Sequence, residues 1–181
     1  MKKIKNYLFV TIALCAFAAT ACSDDDKETI EPLTADSVKG DFGGTLTVGK
    51  GEPSSVVAVV DDRIVISDFP VDSIIKIAVP ESNFSEAVAS LQKQEYAVEY
   101  TTGIFGLNLF IELNLSPLVF EVEYGGLPHE VNAVFYTDKR GNYNGMDNSL
   151  SFELLLQSVT LDGEDVHIPS TLKYDFDLLK K

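Results

Sequence analysis

The sequence predicts a mainly β domain, either an antiparallel β-sandwich or a partly closed barrel, with one or two short helices. Three observations predict it. Apolar residues between positions 42 and 178 recur with a period of two in roughly eight to ten runs, the mark of half-buried strands. Short turns rich in Gly, Asn, Asp and Pro join neighbouring runs, which favours antiparallel pairing. Helical spacing shows in only two short stretches.

Taken in order, Phe42, Gly44, Leu46 and Val48 alternate with Gly43, Thr45 and Thr47, and residues 49–53 (Gly-Lys-Gly-Glu-Pro) make a turn. Val56, Ala58 and Val60 lead into Asp61-Asp62, where a hairpin turns back through Ile64 and Ile66. Val71, Ile74 and Ile75 then stand at helical spacing just after Pro70, which suits a helix's first turn. A strand through Ile75, Ile77 and Val79 is the competing reading. Asn83 with Glu86 three positions on has the form of a capping box, and Phe84, Ala87, Val88 and Leu91 make one apolar stripe. Such a stripe is expected to cover an open end or face of a sheet.

Alternation resumes at Tyr96, Val98 and Tyr100, and it is longest from Leu107 through Leu109, Ile111, Leu113 and Leu115. Runs through Phe120 and Val122, then through Val131 and Phe135, flank a Gly125-Gly126 turn. Residues 138–148 form a loop. Leu150, Phe152, Leu154 and Leu156 follow, but Val159 and Leu161 fall on the opposite parity. One extra residue near Gln157 accounts for that slip, so a β-bulge is expected there. Asp162-Gly163 is a turn, and Leu172, Tyr174, Phe176 and Leu178 close the chain.

The amino terminus has a different character. Lys2, Lys3 and Lys5 precede an apolar run over residues 7–19, the charged start and hydrophobic middle of a secretory signal. The run falls short of the about 20 apolar residues that cross a bilayer. Ala19-Thr20-Ala21 then leads into Cys22. These small residues before a cysteine resemble the lipobox of bacterial lipoproteins, with Ala19 where Leu is usual. The resemblance implies cleavage before Cys22 and lipid on its thiol and amine. Cys15 suits that role less, because bulky Leu14 would occupy its cleavage site.

Ser23, Asp24, Asp25 and Asp26 resemble the surface-export signal of Bacteroidetes lipoproteins, and as a charge run they also suit a solvated tether. The expected organisation is a signal peptide at 1–21, a lipidated acidic tether at 22–36 and one antiparallel β domain at 37–181. The expected location is the outer membrane, lipid-anchored and facing outward. Two or more acyl chains, at about 0.8 kcal/mol per buried methylene, make such an anchor stable.

Losing the signal removes three lysines and no acids, which takes the formal charge from −14 by three units to −17. So acidic a surface repels nucleic acid, whose binding needs Lys and Arg against phosphates. It also disfavours charge-driven docking on anionic lipid. Extracellular neutral glycans, cations and basic proteins stay open as partners. With Cys22 assigned to lipid, the mature chain has no thiol for a disulfide or a thiolate metal site.

No motif for a cofactor or catalytic site emerges. Residues 44–51 (Gly-Thr-Leu-Thr-Val-Gly-Lys-Gly) miss a P-loop by one residue, since Gly51 stands where a magnesium-binding hydroxyl belongs and Thr45 to Val48 alternate as a strand. Residues 138–147 are rich in oxygen ligands, but Arg140 occupies a ligand position of an EF-hand and turn chemistry explains the Asn, Asp and Gly. The Asp61-Asp62 pair is read the same way. His129 and His167 have acids beside them without zinc-site spacing. There is no G-x-S-x-G elbow, and a carboxylate pair of a hydrolase would be a property of the fold. Ile104 and Phe105 make an apolar pair in the glycine-flanked loop of residues 101–106, which is either tucked onto the core or part of a binding lip.

The signal, the Ser-Asp-Asp-Asp tether, the Gly-rich first strand and the strand from Leu150 to Leu156 together resemble small uncharacterised lipoproteins of gut Bacteroidetes, a domain-of-unknown-function family. The resemblance implies display on the outer membrane. The leading expectation is a non-catalytic binding or adhesion module. The alternative is a lipocalin-like carrier of a small apolar ligand, which requires a hollow barrel lined by Leu107, Leu109, Ile111, Phe120 and Phe152. A hydrolase with a carboxylate site is the third.

Overall fold

A computed structural model describes residues 32–181. The expected signal segment, Cys22 and the Ser23–Asp26 run lie outside them. A 3-10 turn at Ala35–Val38 begins the domain. Eleven strands follow: β1 (Gly40–Val48), β2 (Ser54–Val60), β3 (Arg63–Ser67), β4 (Tyr96–Phe105), β5 (Asn108–Asn114), β6 (Leu118–Tyr124), β7 (Leu127–Tyr136), β8 (Gly141–Asn144), β9 (Ser149–Leu161), β10 (Glu164–Val166) and β11 (Lys173–Lys180). Two helices, α1 (Asp72–Ala78) and α2 (Phe84–Ser90), lie between β3 and β4.

Eight strands pair antiparallel in a ring, β1-β2-β3-β4-β5-β8-β9-β11, and β11 returns to β1. Of the two architectures the alternation allowed, the chain adopts the barrel, and closing the ring leaves its eight strands without free edges. The β1–β11 seam depends on Gly44, where an added Cβ would overlap the Asp177 carbonyl oxygen and lie 2.8 Å from the Leu178 Cα.

Side chains fill the barrel. Inward positions of β1, β5, β8 and β9 place Phe42, Leu46, Leu109, Ile111, Tyr143 and Leu150 at no more than 1 % exposure. Phe152 stacks on Phe176 at 4.4 Å between centroids. One end is shut by Val38 of the 3-10 turn, which is fully buried. At the other end Phe69 stacks on Tyr174 at 5.0 Å and meets Tyr96 and Phe135 edge-on at 5.2 and 5.7 Å. Leu109, Ile111 and Phe152 therefore point inward as the carrier reading required, but they meet other side chains there. Phe120 lies on β6, outside the ring.

Between the competing readings of residues 71–79, the chain takes the helix. Val71, Ile74, Ile75 and Ala78 share one buried face at spacings of three and four. The helix stops as Val79 turns extended ahead of Pro80. The α2 stripe packs on β6, where Ser90 Oγ accepts from the Glu123 amide at 2.7 Å. The capping box is absent, because the Asn83 side chain makes no cap bond and a 3-10 turn at Glu81–Asn83 leads into the helix instead.

β9 is long for a structural reason. Its first part lies in the ring between β8 and β11, and its second part, beyond Leu155, pairs with β7 and β10 in a small outer sheet that β6 extends. The expected bulge sits at that transition: Val134 faces Ser158 and Phe135 faces Leu156, so Gln157 is the extra residue. The loop expected at residues 138–148 contains a strand, β8. Residues 101–105, expected as a loop, continue β4 into a long hairpin.

Candidate functional site

Beside the bulge, the outer face of β9 opens into a cleft of about 580 Å³ at the Phe69 end of the barrel. Tyr136 at the end of β7, Gln157 at the bulge, and Ser170 and Thr171 from the loop before β11 line it, with Leu156 and Ile168. The bulge turns Gln157 out of the ladder's alternation and leaves it exposed. The loop is held by the bond from the Leu156 amide to the Leu172 carbonyl, 2.9 Å. Among the described residues no charged side chain lines this cleft. A second cleft, about 470 Å³, lies against α1 and shares Ser170; Ser73, Lys76 and His167 line it. Hydroxyls and the Gln amide both donate and accept, and the half-exposed Tyr136 ring adds a flat apolar surface.

The second constellation is charged and lies on the barrel's outer wall. Glu153, the only buried charged side chain among the described residues, accepts from Lys173 Nζ at 2.7 Å, and that amine also reaches Asp175 at 2.7 Å. Glu153 and Asp175 face each other across β9 and β11, so Lys173 neutralises a like-charge pair. Lys139 Nζ approaches from above at 3.5 Å.

Asp138 completes the group. Its carboxyl is held above the ordinary range, chiefly by its hydrogen bond to Glu153. Glu153 is held below its own range, first by Lys173 and then by Asp138. Two carboxyls do meet, then, as the hydrolase reading required. A shared hydrogen bond joins them, whereas glycosidase carboxylates stand about 5–9.5 Å apart with the scissile bond between them. The network reads as a clasp that pins residues 138–140 to the wall.

The remaining sequence candidates have structural roles. Asn144 Oδ1 accepts from the Met146 amide and Asp147 Oδ1 from the Ser149 amide, while Asn148 has a φ of 57°. These are turn bonds. Among the described residues no group of three or more His, Cys, Asp or Glu is placed to hold a metal. Asp61 and Asp62 pair with Lys39 at 3.4 Å each, beside Asp36 at 3.2 Å.

His129 stacks on Tyr124 at 3.8 Å, and its Nδ1 lies 2.7 Å from Asp162. That partner is not the adjacent Glu130. The contact holds the Asp162 carboxyl below its ordinary range and ties the β6–β7 hairpin to the β9–β10 turn. Thr45 to Val48 lie within β1, so no phosphate loop forms there. Phe105 is 71 % exposed, which removes the reading that tucks it onto the core.

The fold and its clefts define a small antiparallel β-barrel protein whose interior is packed and whose concave surfaces lie outside. The chain belongs to the family described as Domain of unknown function (DUF4840), whose model matches residues 37–161. The matched span takes in β1 through β9 and ends before β11, which closes the ring. No curated protein and no solved structure matches the chain.

Proposed function

We propose that this protein is a lipid-anchored, outward-facing binding module of the outer membrane, and that its ligand is a neutral, hydroxyl-rich molecule of the glycan class. The observation that carries this reading is the composition of the 580 Å³ cleft. Its volume suits a ligand of a few sugar rings. Its polar groups, Gln157, Ser170, Thr171 and Tyr136, can each donate and accept, as sugar hydroxyls do. The absence of charge among its lining residues matters on a chain with formal net charge −14, because a charged cleft would select ions. The filled barrel supports external binding over the carrier role, since a small apolar ligand would have to displace Phe69, Phe152 or Tyr174.

The cleft lies at the end of the barrel opposite the 3-10 turn by which the chain enters the domain. An anchor at Cys22 would hold that entry end toward the bilayer and leave the cleft directed away from it. Two experiments test the reading. On an array of neutral and charged glycans, the protein is expected to retain neutral oligosaccharides; silence across the array contradicts the ligand class. Cys22→Ala is expected to abolish palmitate labelling and membrane sedimentation, and an unchanged variant contradicts the anchor.

A further inference from the structure

The end of the barrel nearest the tether carries an exposed apolar finger. Past Glu99, β4 loses its β3 partner and runs on with β5 alone to a turn at Gly106 and Leu107. Residues 100–111 hold no charged side chain in an otherwise acidic chain. Ile104 is 59 % exposed and Phe105 71 %, and the Phe105 ring leans on half-exposed Phe110 at 6.0 Å. Met146, 75 % exposed, stands beside them, because the Gly145 amide donates to the Leu107 carbonyl at 2.9 Å.

The chain enters at the same place. Leu33 packs so closely on Gly145 that a Cβ there would collide with it. Eleven peptide steps separate Cys22 from Leu33. Fully extended, they reach at most about 40 Å. A lipid on Cys22 would therefore hold Leu33, and the finger beside it, within about 40 Å of the headgroups.

We propose that Ile104, Phe105, Phe110 and Met146 insert into the interfacial layer of the leaflet that holds the Cys22 acyl chains. This second attachment fixes the barrel upright, with the cleft turned outward. The partner is a lipid surface without net negative charge: residues 100–111 are uncharged and Asp36, Asp61 and Asp62 are drawn back around Lys39, while Asp147 beside Met146, held below its ordinary range by Ser149, would be repelled by anionic headgroups. Aromatic and aliphatic side chains on a protruding hairpin suit that layer, where their apolar parts leave water. The proposal rests on the lipid-anchor reading, and its test separates the two.

The chain has no tryptophan, so Phe105→Trp supplies a single fluorophore. The full lipidated variant is reconstituted in phosphatidylcholine vesicles with and without brominated acyl chains. Leu127→Trp, exposed on the β6–β7 turn at the far end of β9, is the control, and Met146→Trp replaces Phe105→Trp if the latter fails to fold. The expected result is blue-shifted emission and at least twofold stronger bromine quenching at the finger than at Leu127. Equal quenching at both positions overturns the proposal. Absence of quenching in protein that labels with palmitate and floats with the vesicles overturns it while the anchor stands. Protein that carries no palmitate overturns the anchor, and this proposal with it.

Discussion

Replacing Phe69 by alanine tests whether the barrel is a packed body or a container. Phe69 is 2 % exposed and meets Tyr96, Phe135, Tyr174 and Phe176 within 6.5 Å between ring centroids. Tyr96, Tyr174 and Phe176 sit on strands of the closed ring and Phe135 on β7 paired with β9, so they cannot collapse far into the space it leaves. Truncating such a phenylalanine costs about 3–5 kcal/mol, and the rigid surround places Phe69→Ala toward the upper end. At about 2–4 °C per kcal/mol for a domain of this size, the midpoint should fall by roughly 6–20 °C. Differential scanning calorimetry reads the loss. The void would be apolar and dry, so the variant should also gain saturable benzene binding that the wild type lacks. A loss under about 1 kcal/mol would refute the packing argument, and stoichiometric uptake of benzene by the wild type would restore the carrier role.

Three further outcomes are expected. The Tyr174 hydroxyl is buried with no partner among the described residues, so Tyr174→Phe should leave the domain unchanged or raise its midpoint by about 2–4 °C, as relief of roughly 1 kcal/mol does; a fall of that size means the hydroxyl is bonded. Gly44→Ala should destabilise the β1–β11 seam by about 1–3 kcal/mol in urea unfolding, and native-like stability would show that the seam tolerates a methyl. Glu153 titrates below its ordinary value because Lys173 holds it charged, so its contribution is present above about pH 4.3 and is lost as pH falls through its folded value. Glu153→Gln should therefore lower stability at neutral pH and flatten the acid limb of the stability curve; an acid limb as steep as the wild type's would contradict the clasp.

How far the sequence foretold this depends on whether a feature is local. The strand alternation and the bulge were legible because a phase slip at Gln157 is written in consecutive residues. Helix α1 was legible for the same reason, through the spacing of Val71, Ile74 and Ile75. β8 was not, because residues 141–144 are Gly-Asn-Tyr-Asn, which also spells a turn; pairing with β5 and β9 makes them a strand. The cleft was hidden because Tyr136, Gln157 and Ser170 meet only when β7, β9 and the loop before β11 converge. Asp138 and Glu153 were invisible as a pair, being fifteen residues apart on different elements. Phe105 stood out between its two glycines, but only the end of β4 that runs past its β3 partner shows it to be a projecting finger.

The central claim, that the uncharged cleft at the bulge binds neutral glycan, is tested most directly by calorimetric titration. The strongest glycan from the array is titrated into the wild type and into the double variant Tyr136→Ala/Gln157→Ala, both checked for equal melting temperature. Loss of the ring surface and one amide should cost at least about 1.4 kcal/mol, a tenfold fall in affinity. Equal affinity in the two proteins would move the binding surface elsewhere and contradict the account.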